Sequence, residues 1–106
     1  MAAEIHVGDK GTVFEATMRD ENGAIVNLST ATLLQIVFAK PDGSVVTKTA
    51  AMSTNGSDGK LRWTTSASSD LDQAGWWRRQ AVVEFQSGVQ HWSSDVTEFE
   101  VVANLA

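Results

Sequence analysis

Short turn motifs recur along this chain, and each is flanked by residues that alternate between apolar and polar. The motifs are Asp20-Glu21-Asn22-Gly23, Lys40-Pro41-Asp42-Gly43 and Gln86-Ser87-Gly88. In the middle motif Pro41 sets φ for the first central position and Gly43 accepts a positive φ. Alternation on both sides of such a turn is the pattern of a β-hairpin. The sequence therefore predicts an all-β fold.

The alternating segments predict eight or nine short antiparallel strands in one domain, residues 1–106. A single sheet of this length would leave one apolar face in water, so the strands are expected to form two packed sheets. Leu34, Ile36 and Phe38 should share the buried face of a central strand. The predicted strand segments are 4–7, 12–19, 24–26, 33–39, 45–50, 61–63, 76–85, 89–94 and 97–102. The predicted fold class is an all-β, Ig-like β-sandwich.

Several of these segments resemble a known family, the Ig-like domain at the N-terminus of phage baseplate upper proteins. The segments that carry the resemblance are Gly8-Asp9-Lys10-Gly11, Asp20 to Ser29, Phe38 to Val46, and Asp70 to Trp77. The resemblance implies a β-sandwich of a tail, baseplate or fibre protein, present in the virion and made in the host cytoplasm. It also implies other virion proteins as partners, with the domain acting as an adaptor in multiple copies or as a homo-oligomer.

Charge and composition disfavour several classes of function. Eight basic residues against thirteen acidic ones give a net charge of −5, which repels phosphate backbones. Arg78 and Arg79 are the only adjacent basic pair, so we expect no nucleic-acid binding. No apolar run approaches the length of a membrane span and no signal peptide is recognisable, so no membrane insertion is expected. The chain has no cysteine, which excludes disulfides and thiolate metal sites.

The sequence does not mark a catalytic or metal site. His6 and His91 lie in predicted strands, and a Ser-His-Asp arrangement would need one of them with Asp9 or Asp95 and a serine that no motif identifies. Acidic and amide side chains in 55–58 and 70–72 lack the spacing of a calcium loop. Caps and turns explain these side chains through bonds to nearby backbone. We expect a protein that is not an enzyme and that holds no cofactor or metal.

Four tryptophans in so short a chain provide the candidate binding residues. Trp63 and Trp77 lie on the inward register and are predicted to pack in the core. Trp76 and Trp92 are predicted to lie on the opposite, half-solvated face. Arg78 follows on the face of Trp76 and offers a cation-π pair, a composition typical of protein interfaces. The predicted interface therefore consists of Trp76, Arg78 and Trp92.

Two functions remain open at this point. The first is a non-enzymatic virion structural protein that makes protein-protein contacts. The second is a carbohydrate-binding sandwich that recognises a cell-surface glycan, with exposed tryptophan rings stacked on sugar and flanked by Gln80, Glu84 and Gln90. The family resemblance favours the first function.

Overall fold

The strands of this chain form two sheets and follow one another closely in sequence. The computed structural model describes residues 5–86, 90–94 and 96–104. The strands are β1 Ile5–His6, β2 Val13–Thr17, β3 Leu33–Ala39, β4 Val45–Thr49, β5 Ala51–Met52, β6 Lys60–Thr64, β7 Gly75–Phe85, β8 Gln90–Ser93 and β9 Thr97–Val102. The described residues include no helix of the length and apolar character that a membrane crossing requires.

In the described residues, the larger sheet has six strands and the smaller sheet has three. In the larger sheet the order is β1-β9-β7-β3-β4, and β8 also pairs with β7. In the smaller sheet the order is β2-β6-β5. All the described strand pairs are antiparallel except β1 with β9, which is parallel with Ile5 opposite Val101. The all-β prediction is confirmed, whereas the parallel pairing of β1 departs from the prediction that the strands are antiparallel.

This strand order is the order of an Ig-like sandwich. Immunoglobulin domains place strands B, E and D in one sheet and strands C, F and G in the other, and variable-type domains add C′ beside C. Here β2, β6 and β5 occupy the positions of B, E and D, while β3, β7 and β9 occupy those of C, F and G. Strand β4 takes the position of C′. The chain crosses between the sheets at Ala50, between β4 and β5.

Alternation predicted the central hairpin well. Strand β3 has the predicted bounds, and its partner β4 ends one residue before the predicted end. Ile36 and Phe38 are buried, and Leu34 packs against the core from the same face. Of the predicted turn at 86–88, Gln86 is described, and the rest lies outside the described residues.

The core between the sheets is built around aromatic rings. Phe38 lies within 6.4 Å, ring centre to ring centre, of Phe14, Trp63, Trp77 and Phe99. Trp77 is buried, and its Nε1 donates to the carbonyl oxygen of Gln73 at 3.0 Å. The predicted core placement of Trp63 and Trp77 is confirmed, with Trp63 only partly buried. Both sheets contribute rings, so this cluster joins them.

The turn between β3 and β4 is held by the carboxylate of Asp42. The Ser44 hydroxyl donates to Asp42 Oδ1 at 2.7 Å, the Ser44 backbone N–H donates to the same oxygen at 2.8 Å, and Gln73 Nε2 donates to Oδ2 at 2.8 Å. These bonds favour the charged form and lower the pKa of Asp42 from 3.8 to about 2. The φ of +91° at Gly43 confirms the predicted positive angle in this turn.

Asp42 should make the stability of the fold depend on pH in the acidic range. Because the pKa of Asp42 is lower in the folded chain, its carboxylate stabilises the fold above about pH 4, and this contribution is lost as the pH falls from about 4 towards 2. We expect Asp42→Asn to reduce the fall in melting temperature across that interval, measured by circular dichroism. Equal slopes for the parent and the variant would contradict this prediction.

Candidate interaction surfaces

Trp76 stands on the outer face of the larger sheet, the face turned away from the core. Its side chain is 60% exposed, and Glu100 of β9 lies directly opposite it. Arg78 follows on the same face, between Glu98 on one side and Ala39 on the other. Val45 is 63% exposed on this face, opposite Ala39. We call this group of residues the Trp76 patch: Trp76, Arg78, Val45, Glu98 and Glu100.

The expected contact between Trp76 and Arg78 is not formed. Within the described part of the chain, the Arg78 guanidinium makes no cation-π contact and no ion pair. The two side chains share a face because they are two residues apart on β7, as predicted. The guanidinium and the indole are therefore both available to a partner.

Trp92 does not lie on the face of Trp76. Residues directly opposite each other in an antiparallel pair point to the same side of the sheet, and Trp92 lies opposite Val83, which is fully buried. The Trp92 ring packs edge-on against Phe85, with ring centres 6.2 Å apart. Trp92 remains 36% exposed because it lies at one end of the inner face. The predicted three-residue surface is therefore divided between the two faces of the sheet.

The polar residues predicted to flank a sugar are engaged elsewhere. Gln80 Nε2 donates to the carbonyl oxygen of Ser94 at 2.8 Å. Glu84 Oε2 lies 2.8 Å from Nδ1 of His91. The side chain of Gln90 falls outside the described residues. The structure therefore does not bring these groups beside Trp76 for a glycan.

The histidines have ordinary structural surroundings. His91 is exposed opposite Glu84 on the outer face, and its ring pairs with that carboxylate. His6 lies in β1, and its backbone N–H donates to Asp9 Oδ2 at 2.9 Å. Asp95 lies outside the described residues.

Acidic residues in the loops bind backbone groups, as the sequence predicted. Asp70 Oδ2 accepts the backbone N–H groups of Ser66 and Ala67, and Asp58 Oδ1 accepts that of Lys60. No group of three acidic or histidine side chains in the described residues has an arrangement suited to a metal ion. These carboxylates are explained by the turns that they close.

Arg79 is a residue of interest that the tryptophan argument missed. It interrupts the apolar register of β7, so its side chain points between the sheets. Its Nη1 donates to the backbone oxygen of Glu15 on β2 at 3.0 Å, and the guanidinium lies 5.9 Å from the centre of the Phe14 ring. Burial lowers the pKa of Arg79. The sequence places Arg79 among apolar residues, but its hydrogen-bond partner, Glu15, lies 64 residues away, so local pattern did not identify it.

A groove lies beside Arg79, between the edges of the two sheets. Its main part has a volume of about 530 Å³, and a second part of about 460 Å³ continues past Arg19 and Ser93 to Trp92. We call it the edge groove, and its main part is lined by residues that include Ala16, Thr17, Arg19, Arg79, Ser94 and Thr97. Trp92 therefore belongs to the edge groove rather than to the Trp76 patch.

Comparisons with known proteins add no family to these observations. No family model matches the chain, and no curated protein matches it. The resemblance to the baseplate Ig-like domains stays a prediction.

Proposed function

We propose that this protein is a non-enzymatic structural protein of a phage virion, an adaptor that makes protein-protein contacts in multiple copies at the tail, baseplate or fibre. The observation that carries the proposal is the Trp76 patch on an Ig-like sandwich. The segments that resemble the baseplate Ig-like domains support the virion setting. The acidic composition is consistent with protein partners rather than nucleic acid.

The composition of the Trp76 patch favours a protein partner. Tryptophan and arginine are the residues most enriched among those that dominate interface energetics, and each often contributes 2 kcal/mol or more when buried there. Here an indole that is 60% exposed lies two residues from an arginine without an intramolecular partner in the described residues. Glu98 and Glu100 add a charged border, which gives a partner electrostatic specificity.

A glycan is supported less well than a protein. A sugar site needs polar groups that converge beside the aromatic ring. Gln80 and Glu84 are instead bonded to Ser94 and His91. The Trp76 patch therefore offers an aromatic side chain and charges, while Gln80 and Glu84, which the glycan hypothesis placed beside the tryptophan, are bonded elsewhere.

The Trp76 patch can be tested by replacing its two anchors together. We expect Trp76→Ala with Arg78→Ala to lower incorporation into phage particles by more than about tenfold. A tenfold loss of affinity corresponds to about 1.4 kcal/mol, which is less than one such anchor often contributes. Incorporation is measured by quantitative mass spectrometry of purified particles. The fold should survive, since both side chains are exposed.

Thr47→Ala with Thr49→Ala is the matched control, because both threonines are exposed on the outer face at the sheet edge. This control variant should enter particles like the parent. Parental incorporation of the Trp76 and Arg78 double variant would refute the Trp76 patch as the contact surface.

A further inference from the structure

Along the edge groove, strand β2 has a backbone edge that no described strand covers. Among the described strands it pairs with β6 alone. The hydrogen bonds of Thr12 to Thr65 and of Met18 to Gly59 show that the backbone groups of its even-numbered residues point towards β6. Because N–H and C=O direction alternates along a strand, Val13, Glu15 and Thr17 point the other way. In the described chain, their outward groups have one partner, the Arg79 guanidinium on the Glu15 oxygen.

In the part of the chain that the structure describes, the neighbouring sheet is also unpaired on this side. Among the described residues, β1 pairs with Val101 and Val102 only, and no described strand pairs with this edge of β9 near Thr97. In immunoglobulin domains strand A lies beside strand B. The corresponding position beside β2 has no strand among the described residues. The edge groove lies between these two open edges.

Glu15, Asp20 and Glu21 line the edge groove together with Arg79, but none of the described carboxylates forms an ion pair with the Arg79 guanidinium. Arg79 is bonded to a neutral carbonyl oxygen and forms no ion pair with any residue that the structure describes. A charged group taken partly out of water is stabilised most by an opposite charge with hydrogen bonds. An acidic side chain entering the edge groove would satisfy this need.

A second copy pairing through the same edge is disfavoured. Antiparallel pairing of two β2 edges about a two-fold axis at the centre of the strand would set Glu15 opposite Glu15 of the other copy. Like charges directly opposite each other destabilise strand pairing. The favoured occupant therefore belongs to a different segment of chain.

We infer that the edge groove binds an extended segment of a partner protein, which adds as a strand to β2 and places an acidic side chain against Arg79. Strand addition of this kind uses backbone bonds for affinity and side-chain pockets for specificity. A side chain opposite Ala16 points into the edge groove as Ala16 does. This inference rests on the proposed function, because it specifies how a virion partner is held.

A tethered probe tests strand addition on the purified protein. The segment Thr-Val-Thr-Asp-Thr-Val-Thr is joined to the C-terminus through about 20 Gly and Ser residues, which reach up to about 66 Å. The longest dimension of the fold is 46 Å. Tethering supplies an effective concentration of about 1 mM, so a segment with a Kd of about 0.1 mM slows exchange of protected amides about tenfold. Amide hydrogen exchange is measured by NMR at low protein concentration.

We expect the amides of Glu15 and Thr17 to exchange about tenfold more slowly in the fusion than in the parent, because the effective concentration of the tethered segment is about ten times its Kd. The amide of Ala16, which points towards β6, should not change. Arg79→Gln, or Asn in place of Asp in the probe, should remove most of the protection. Arg78→Gln, next along the strand on the outer face, should retain it.

Thr17→Pro provides a second variant, because proline removes an N–H that faces away from β6 and is tolerated on strand edges. It should abolish protection at Glu15 while the melting temperature shows that the fold remains. Unchanged exchange at Glu15 and Thr17 in the fusion would overturn the inference, as would equal protection in Arg79→Gln.

Protection of the same amides in the unfused protein at high concentration would identify a second copy as the occupant, and would also overturn the inference. These measurements need no virion. A failure of strand addition is therefore distinguishable from absence of the protein from particles, which would defeat the proposed function instead.

Discussion

Replacement of Phe38 by alanine is expected to lower the free energy of unfolding by about 3–5 kcal/mol, the usual cost of removing a buried aromatic ring. Phe38 is 2% exposed and contacts four other rings. Two of these rings, Phe14 and Trp63, come from the smaller sheet. The lost ring therefore leaves a cavity between the sheets as well as uncovering apolar surface.

Urea denaturation followed by tryptophan fluorescence measures this loss. Val45→Ala is the control, since Val45 is 63% exposed and lies on the outer face beside the end of the same strand. It should change stability by no more than about 0.5 kcal/mol. A loss below about 1 kcal/mol in Phe38→Ala would contradict the central position of this ring, because cavity formation in a packed core costs more.

A methyl group at Gly56 should also destabilise the fold strongly. Gly56 has a φ of +89°, and a Cβ there would lie 2.8 Å from the backbone nitrogen of Ser29 and 2.9 Å from the carbonyl carbon of Leu28. Backbone at that distance cannot move aside cheaply, because the Leu28 N–H is bonded to the Gly56 oxygen at 2.7 Å. We expect Gly56→Ala to cost about 2–5 kcal/mol, from backbone strain and steric overlap together.

Gly43 provides the matched control for this substitution. Its φ of +91° is nearly the same, but a Cβ there would have no neighbour within 4 Å. Gly43→Ala should therefore cost only the conformational strain, about 1–2 kcal/mol. Thermal and urea unfolding of the two variants isolate the steric contribution at Gly56. Equal losses in both variants would show that the close approach of the loop to Leu28 and Ser29 is wrong.

Local pattern was sufficient for much of the fold. The alternation of Leu34, Ile36 and Phe38 predicted a strand and its buried face, because neighbouring side chains in a strand point to opposite sides. The Pro41 and Gly43 positions predicted the turn that follows, since turn geometry depends on a few residues. Composition alone did not reveal how closely Gly56 approaches Leu28, because that contact joins distant parts of the chain.

The candidate surfaces were predictable only in part. Trp76 is exposed as expected, since its face follows from its position in β7. Trp92 was wrongly assigned to the same face, because its direction depends on its pairing with Val83 and on the register of a second strand. Arg79 interrupts the apolar register of β7, but the edge of β2 beside it, which no described strand covers, is a property of the assembled sheets.

We propose that a phage encodes this chain, and mass spectrometry of the purified particles of that phage tests this central claim most directly. The account predicts that the protein copurifies with intact virions in several copies per particle, in a fixed ratio to the tail proteins. The protein should remain with the tails after the heads are removed. Its absence from purified virions, with the protein found only in the soluble fraction of the lysate, would contradict the account.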